Sequence, residues 1–265
     1  MRINYRENAS DLEKRIDIHN QFGGYDIDKW MLKILDMQPN LKILDVGCGA
    51  GKQCFSYYRH LNGAADITGG DVSEELLNKA KTENEKINNP IKFIPLNFNE
   101  RFPFEEEEFD LVSCCFAIYY AKDIPFTIDE IYRILKPGGR FFSTGPMPDN
   151  KRLFYDIILK ATHKPIPPMP GSSRYSSELL YMIKSKFTEV RVEIFNNPLT
   201  FKTITPFIEY TRASLSEDRQ LWKDLFAEID FEQVMANITE VAQSHLEKDG
   251  QLVMTKVVGG FLATK

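Results

Sequence analysis

A short run around residue 45 constrains the fold of this chain more than any other feature. An apolar strand, Leu41–Val46, leads through Asp45 into a turn with glycines at 47, 49 and 51, and this turn opens a helix. Glycine removes the Cβ atom where the backbone bends sharply and approaches a ligand. The spacing G-x-G-x-G is one residue tighter than the dinucleotide pattern G-x-G-x-x-G. The run therefore predicts a nucleotide-cofactor turn, and a glycine-rich loop without a ligand is the structural alternative.

A second acidic residue, Asp71, supports the cofactor interpretation. Residues 65–71 predict the second strand, and Asp71 ends it 20 residues after Gly51. An acid at the tip of the second strand is placed to accept hydrogen bonds from both hydroxyls of a ribose. An exposed carboxylate without a ligand is the alternative at this position.

Strands and helices continue to alternate as far as residue 144. Strands are predicted over residues 90–97, 109–116 and 140–144, with an amphipathic helix over 123–135. Residues 136–139, Lys-Pro-Gly-Gly, predict a helix stop and a tight turn into the fifth strand. Together, the glycine turn with Asp45 and the run Glu130–Phe141 resemble motif I and the post-catalytic segment of class I S-adenosylmethionine-dependent methyltransferases, in their small-molecule, UbiE-like branch.

The alternation predicts an α/β fold, a doubly wound, Rossmann-like sheet. We expect seven strands, N-terminal helices, and a C-terminal helical cap inserted before the last strand, with cap helices at 205–211, 218–227 and 231–246. Three segments are expected within one structural domain: an N-terminal helical lid (1–40), the S-adenosylmethionine-binding core (41–148), and a segment that completes the sheet and carries the substrate cap (149–265).

The resemblance implies S-adenosyl-L-methionine as cofactor and a set of contacts at the carboxyl ends of the strands. Asn97 and Phe98 stand where the family usually has Asp-Ala or a similar pair that meets the adenine, and an amide oxygen can accept a hydrogen bond from the adenine amine. The expected cofactor-binding residues are Asp45, Gly47, Cys48, Gly49, Asp71, Val72, Asn97, Phe98 and Phe116.

The expected chemistry is methyl transfer to an oxygen, nitrogen or carbon atom of a small molecule. The sulfonium of the cofactor already activates the methyl group, so the protein mainly aligns the acceptor and excludes water. An oxygen acceptor also needs a base, for which His19 and His163 are candidates in possible lid regions. Tyr119 and Tyr120, just past the fourth strand, are candidates for substrate contact. A packing role is the alternative for each of these four residues, and Tyr5, Phe22 and Tyr25 are further possible lid residues.

Composition and charge argue against nucleic acid, membrane and metal as partners of this chain. The net charge of −5 argues against a nucleic-acid partner, because phosphate binding needs a basic face. No stretch approaches the roughly 18 apolar residues of a membrane span, and no signal core opens the chain. The four cysteines lack metal-ligand spacing, and Asp110 stands at the wrong end of its strand for a catechol-type site, so no metal is expected. We expect a cytoplasmic protein, with monomer and homodimer equally open.

Two other functions compete with methyl transfer. A nicotinamide oxidoreductase would keep the fold, but its glycine spacing and its tyrosine–lysine pattern are missing. A methyltransferase-like module that binds the cofactor, or regulates, without turnover is compatible with the sequence, because a methyl transfer without a base leaves no catalytic motif.

Overall fold

The computed structural model describes residues 9–167, 169–217, 222, 226 and 230–265. Tyr5 and most of the helix predicted for 218–227 lie outside these residues. The helices are α1 (Ala9–Phe22), α2 (Ile27–Leu35), α3 (Lys52–His60), α4 (Glu74–Glu85), α5 (Ile124–Ile134), α6 (Arg152–Thr162), α7 (Pro170–Arg174), α8 (Ser177–Lys186), α9 (Ile204–Glu217) and α10 (Phe231–Asp249). The strands are β1 (Leu41–Val46), β2 (Ala65–Asp71), β3 (Lys92–Pro95), β4 (Phe109–Cys115), β5 (Leu135–Pro146), β6 (Glu189–Phe201) and β7 (Leu252–Thr264).

The strands form one seven-stranded sheet with the order β3-β2-β1-β4-β5-β7-β6. Strands β1 to β5 pair in parallel, and β7 runs antiparallel to β5. Helices α1 and α2 precede β1, and α9 and α10 lie between β6 and β7 in the chain. The predicted α/β fold, with a doubly wound sheet and helices inserted before its last strand, is confirmed.

Two compact units divide the chain. One contains 27–148, 170–195 and 258–265, and the other contains 1–26, 149–169 and 196–257. We call them the sheet unit and the helical unit. Segments of the two units alternate along the sequence. Neither unit therefore coincides with one of the three contiguous segments predicted from the sequence.

The core of the sheet unit lies on both faces of the sheet. Side chains alternate along a strand, so Leu44 packs with α5 and α8 while its neighbour Ile43 packs with α2 and α3. Phe141 and Phe142 divide between the same two faces. Strands buried on both sides are typical of parallel sheets, which explains the continuous apolar runs in the sequence.

The start of β5 differs from the prediction. Residues 136–139 were expected to precede a strand at 140–144, but Leu135 already pairs with Phe109 of β4. Pairing resumes at Arg140 with Leu111, so four residues of β5 stand opposite one residue of β4. The turn is where the glycines predicted it, with Gly138 at φ 74°. Residues 136–139 therefore form a bulge within β5, and they do not separate α5 from the strand.

The helical unit has its own apolar core. Helix α1 packs against α9, and α10 packs against α6 and α9. Phe154, Phe207, Tyr210 and Trp222 are each almost completely buried in this core. No helix of the described residues is both long and apolar enough to cross a membrane.

Candidate functional site

The glycine turn folds back onto the end of β2. The N–H groups of Gly47 and Cys48 both donate to the carbonyl oxygen of Gly70, at 2.8 and 3.0 Å. The Gly51 N–H donates to the Cys48 carbonyl at 2.9 Å. Adjacent parallel strands β1 and β2 end together, with Val46 opposite Gly70, and this register brings the turn to the carboxyl edge of the sheet.

The three glycines of the turn have positive φ angles, but a side chain would meet different surroundings at each. A Cβ on Gly47 would lie 2.6 Å from the Cβ of Ala117, and one on Gly51 would lie 2.9 Å from the rings of Phe55 and Phe93. A Cβ on Gly49 would find only Leu76, at 3.9 Å. Gly47 and Gly51 are therefore required for packing, whereas a Cβ at Gly49 would make only one ordinary van der Waals contact.

Asp71 joins the glycine turn to the helix that follows β2. Its Oδ2 accepts a hydrogen bond from the Gly49 N–H at 2.8 Å, and its Oδ1 accepts one from the Ser73 N–H at 2.8 Å. Ser73 in turn caps α4, as its Oγ accepts from the Leu76 N–H. The carboxylate thus lies beside Gly49, half-buried, and the neighbouring Val72 is 64% exposed.

Asp45 lies beneath the turn and is 1% exposed. Its Oδ1 accepts from the Ser113 hydroxyl at 2.6 Å, and its Oδ2 accepts from the Cys54 thiol at 3.8 Å. Burial raises the pKa of Asp45 to about 7. The two hydrogen bonds favour the ionised form and lower the pKa, but the effect of burial is larger. Both oxygens therefore face β4 and α3.

Asn97 and Phe98 follow β3 and have different surroundings. Asn97 Oδ1 accepts two hydrogen bonds from Asn99, one from the backbone and one from the side chain, at 3.0 and 3.1 Å. Its Nδ2 donates to Glu100 at 2.6 Å. In this arrangement Asn97 orders its own loop. The half-buried ring of Phe98 approaches Gly47, with 3.8 Å between its Cε1 and the Cβ position of that glycine.

An ion pair on α5 holds the segment after this loop. Glu130 Oε2 accepts from the Phe102 N–H at 2.8 Å and from Arg133 at 2.8 Å. Arg133 also donates to the carbonyl oxygens of Phe102 and Phe104, at 3.1 and 2.9 Å. Both ends of the pair are more than four-fifths buried. The pair thereby ties the 102–104 segment to a helix of the core.

The end of β4 presents Phe116 and two tyrosines. Phe116 has φ 55°, which is strained for a bulky residue, and its side chain is 36% exposed. Tyr119 is only 6% exposed, and its ring packs 4.7 Å from that of Tyr120. Arg174 donates to the carbonyl oxygen of Tyr119 at 2.6 Å. Phe116 and the half-buried Tyr120 are therefore the more accessible aromatic residues at this edge.

The two candidate histidines belong to the helical unit. His163 is exposed and forms the left-handed C-cap of α6 at φ 54°. His19 is largely buried, and burial, with the charges of Lys256, Lys151 and Arg15, holds its pKa far below the usual range. An imidazole with so low a pKa is a weak proton acceptor.

Sequence reasoning missed Ser113 and Arg133. Ser113 is a polar residue within an apolar strand, and it stands opposite Asp45 in the pairing of β1 with β4. Knowledge of the strand order would have identified it. No group of three or more His, Cys, Asp or Glu residues suited to a metal ion occurs in the part of the chain that the structure describes.

The segment that contains the glycine turn is similar in sequence to known proteins. A family model described as "Methyltransferase domain" matches residues 44–143, the segment from β1 to the bulged strand β5. Demethylmenaquinone methyltransferase from Staphylococcus aureus is 31% identical over 111 residues, which is 42% of this chain and 45% of that protein. The chain therefore spans less than half the length of this relative.

Solved structures extend the similarity of fold over most of the chain. The YcgJ protein of Bacillus subtilis has a TM-score of 0.59 at 16% identity, covering 90% of this chain and 97% of that one. Phosphoethanolamine N-methyltransferase 2 of Haemonchus contortus, in complex with S-adenosyl-L-methionine, has a TM-score of 0.57 at 17% identity, covering 97% of this chain and 57% of that one. Residues 44–143 are thus similar to the methyltransferase-domain family, and the chain shares its fold with the solved structures named here.

Proposed function

We propose that this protein is an S-adenosylmethionine-dependent methyltransferase that moves a methyl group to an oxygen, nitrogen or carbon atom of a small-molecule acceptor. The hydrogen bond from the Gly49 N–H to Asp71 carries the proposal. It puts an acceptor carboxylate beside a glycine whose Cβ position has no close neighbour, at the carboxyl edge where ligands bind in doubly wound sheets.

The residues at this edge suit the cofactor. Each Asp71 oxygen accepts one backbone N–H and keeps lone-pair capacity, so each can also accept a ribose hydroxyl. Phe98 offers an apolar ring next to the turn for the adenine. Asn97 fits less directly, because both lone pairs of its Oδ1 are used by Asn99. An adenine contact through that oxygen requires the Asn99 amide to turn away.

Asp45 supports the turn from below in this proposal. Its carboxyl bonds Ser113 and Cys54 and so fixes the end of β1 to β4 and α3. The role of Cys48 is the backbone hydrogen bond to Gly70 that closes the turn. Gly47 allows the turn to approach the segment after β4, where Phe116 is exposed.

The bound cofactor supplies an electrophilic methyl group, and the protein orients the acceptor and excludes water. Phe116 and Tyr120 are the proposed acceptor contacts of the sheet unit. None of Phe116, Tyr120 and the buried His19 is proposed as a base. An acceptor that needs no proton removal, such as a neutral amine, suits this site best.

Methyl transfer is tested by incubating the protein with S-adenosylmethionine and a panel of small amines, phenols and carbon nucleophiles. Mass spectrometry would detect a gain of one methyl group together with S-adenosylhomocysteine. Transfer to any member supports the proposal. Tight cofactor binding without transfer to any of them supports the cofactor-binding module without turnover.

A further inference from the structure

Strand β6 is the last strand of the sheet, and its outer edge is open over residues 189–195. On its other side β6 pairs with β7, and no further strand of the described residues follows it. Farther along β6, within the helical unit, Gly23 forms an antiparallel bridge with Leu199. The part of the chain that the structure describes provides no such bridge for 189–195. The backbone N–H and C=O groups of this segment that point away from β7 are therefore available to another strand.

The odd-numbered side chains of this segment lie on the face of the sheet that α2 covers. Arg191 donates to the Ile34 carbonyl oxygen of α2 at 3.1 Å. The ring of Phe195 lies 5.2 Å from the ring of Trp30, also on α2. Arg191 Nε pairs with Glu193 Oε1 at 3.2 Å on the same face. A cation and an anion therefore stand two residues apart along one face of an edge strand.

The even-numbered side chains point to the opposite face and are apolar. Val190 packs against the core that α5 and α8 form with the sheet. Beyond it, Val192 is 39% exposed and Ile194 is 44% exposed. Edge strands are commonly protected against pairing by lysine or proline, and residues 189–195 contain neither. This edge therefore suits pairing with another strand.

We infer that residues 189–195 pair antiparallel with the same residues of a second copy of this chain, about a twofold axis at Val192. This axis puts Arg191 opposite the partner's Glu193, and it does so twice, once on each side of the axis. It also puts Val190 opposite the partner's Ile194. Opposite charges and apolar side chains that face each other across strands stabilise a sheet. Residues of like parity lie opposite each other, so outward-facing backbone groups of one copy meet outward-facing groups of the other.

Neighbouring registers match less well. An axis at Arg191 puts two arginines opposite each other, and an axis at Glu193 does the same with two glutamates. Like charges directly opposite each other destabilise a sheet. A shift by one residue puts the apolar side chains of one copy on the face of the charged side chains of the other.

The match of this segment to itself favours a second copy as the occupant of the edge. A twofold contact uses the same surface on both subunits, so that surface must be complementary to itself. The alternation of Arg191 and Glu193 about Val192 meets this condition. The inference concerns the sheet unit alone and does not depend on the proposed function.

Sedimentation equilibrium of the whole chain tests the dimer and its charge pairs. We expect a dimer that Arg191→Glu weakens by about tenfold or more, because it puts two acids opposite each other twice in each dimer. The double variant Arg191→Glu/Glu193→Arg restores both opposite-charge pairs and should regain most of the lost affinity. Glu75→Lys is the control, since it reverses an exposed charge on α4, and it should leave the dimer unchanged.

Val192→Cys tests the register without changing a charge. Residues directly opposite each other in antiparallel strands have Cα atoms about 4.5 to 5.5 Å apart, within the range of a disulfide. Diamide should therefore take two electrons and two protons from the two new thiols of a dimer and leave one S–S bond between the copies. Glu189→Cys is the control, because the axis puts the two copies of residue 189 about 20 Å apart. The wild type controls for the native cysteines.

The inference predicts cross-linked dimers of Val192→Cys alone. A protein that stays monomeric up to about 1 mM would overturn it. So would a dimer that Glu75→Lys weakens as much as Arg191→Glu, a double variant without recovery, or equal cross-linking of Val192→Cys and Glu189→Cys.

Discussion

At the scale of single residues, the proposed cofactor site depends most on Asp71, the proposed acceptor for the ribose hydroxyls. Asp71→Ala should weaken S-adenosylmethionine binding by roughly tenfold to a hundredfold, because two ribose hydroxyls lose an acceptor worth about 1 to 3 kcal/mol. Calorimetric titration measures the change. Asp66→Ala is the control, since Asp66 is an exposed acid at the start of the same strand. Unchanged affinity in a folded Asp71→Ala protein would refute the proposed ribose contact.

Gly49 provides a steric test of the same site. Gly49→Val should obstruct the approach of the cofactor and abolish measurable binding. Valine is also strained at the φ of 54° found there. Gly138→Val controls for that strain, because Gly138 has φ 74°, lies in the β5 bulge, and has no atom within 4 Å of its Cβ position. Both variants should lose about 1 to 3 kcal/mol of stability, and only Gly49→Val should lose the cofactor.

Asp45 should make stability depend on pH in an unusual direction. Burial raises its pKa from 3.8 to about 7, so the native state binds more protons than the unfolded state between these values. The contribution of Asp45 to the free energy of unfolding therefore falls as pH rises through this window.

Asp45→Asn should remove this pH dependence while its amide oxygen still accepts from Ser113. Urea unfolding at several pH values compares the variant with the wild type. We expect the stability difference to move in favour of Asn from pH 5 to pH 8, by a few kcal/mol at most. A difference that stays constant with pH would show that Asp45 is ionised throughout.

At the scale of secondary-structure elements, the Glu130–Arg133 pair joins α5 to the 102–104 segment. Arg133→Met should destabilise the protein by roughly 2 to 4 kcal/mol, because it leaves a buried carboxylate and two backbone carbonyls without their donor. Lys79→Met breaks an exposed pair on α4 and should cost less than about 0.5 kcal/mol. Denaturant unfolding measures both variants, and equal losses would contradict the anchoring role.

The elements around the glycine turn were predictable because local chemistry determines them. Strand β2 has the predicted bounds, 65–71, and helix α5 lies within the predicted range 123–135. Strand β5 was less predictable, because the pairing of Leu135 with Phe109 depends on a partner strand and not on the glycines at 138 and 139.

The candidate site was predictable to a different degree at each residue. The sequence predicted Gly49 and Asp71 at the carboxyl ends of the strands, and the structure adds the hydrogen bond between them. The hydrogen bonds of Asn97 to Asn99 and Glu100 were not predictable, since they depend on the path of a loop. His19 illustrates the same limit, because its neighbours Lys151, Tyr210 and Lys256 come from distant parts of the chain.

At the scale of the whole molecule, the match to the methyltransferase domain covers residues 44–143, and solved structures extend the similarity of fold to 90% or more of the chain. All three segments of the helical unit lie outside residues 44–143. The proposed function therefore rests on the sheet unit, which contains the glycine turn and Asp71.

Calorimetric titration of the folded protein with S-adenosylmethionine and S-adenosylhomocysteine tests the central claim most directly. We predict binding of both in the micromolar range, no binding of NAD, and loss of affinity in Asp71→Ala. A well-folded protein that binds neither compound, or that binds NAD in their place, would contradict the proposed cofactor site.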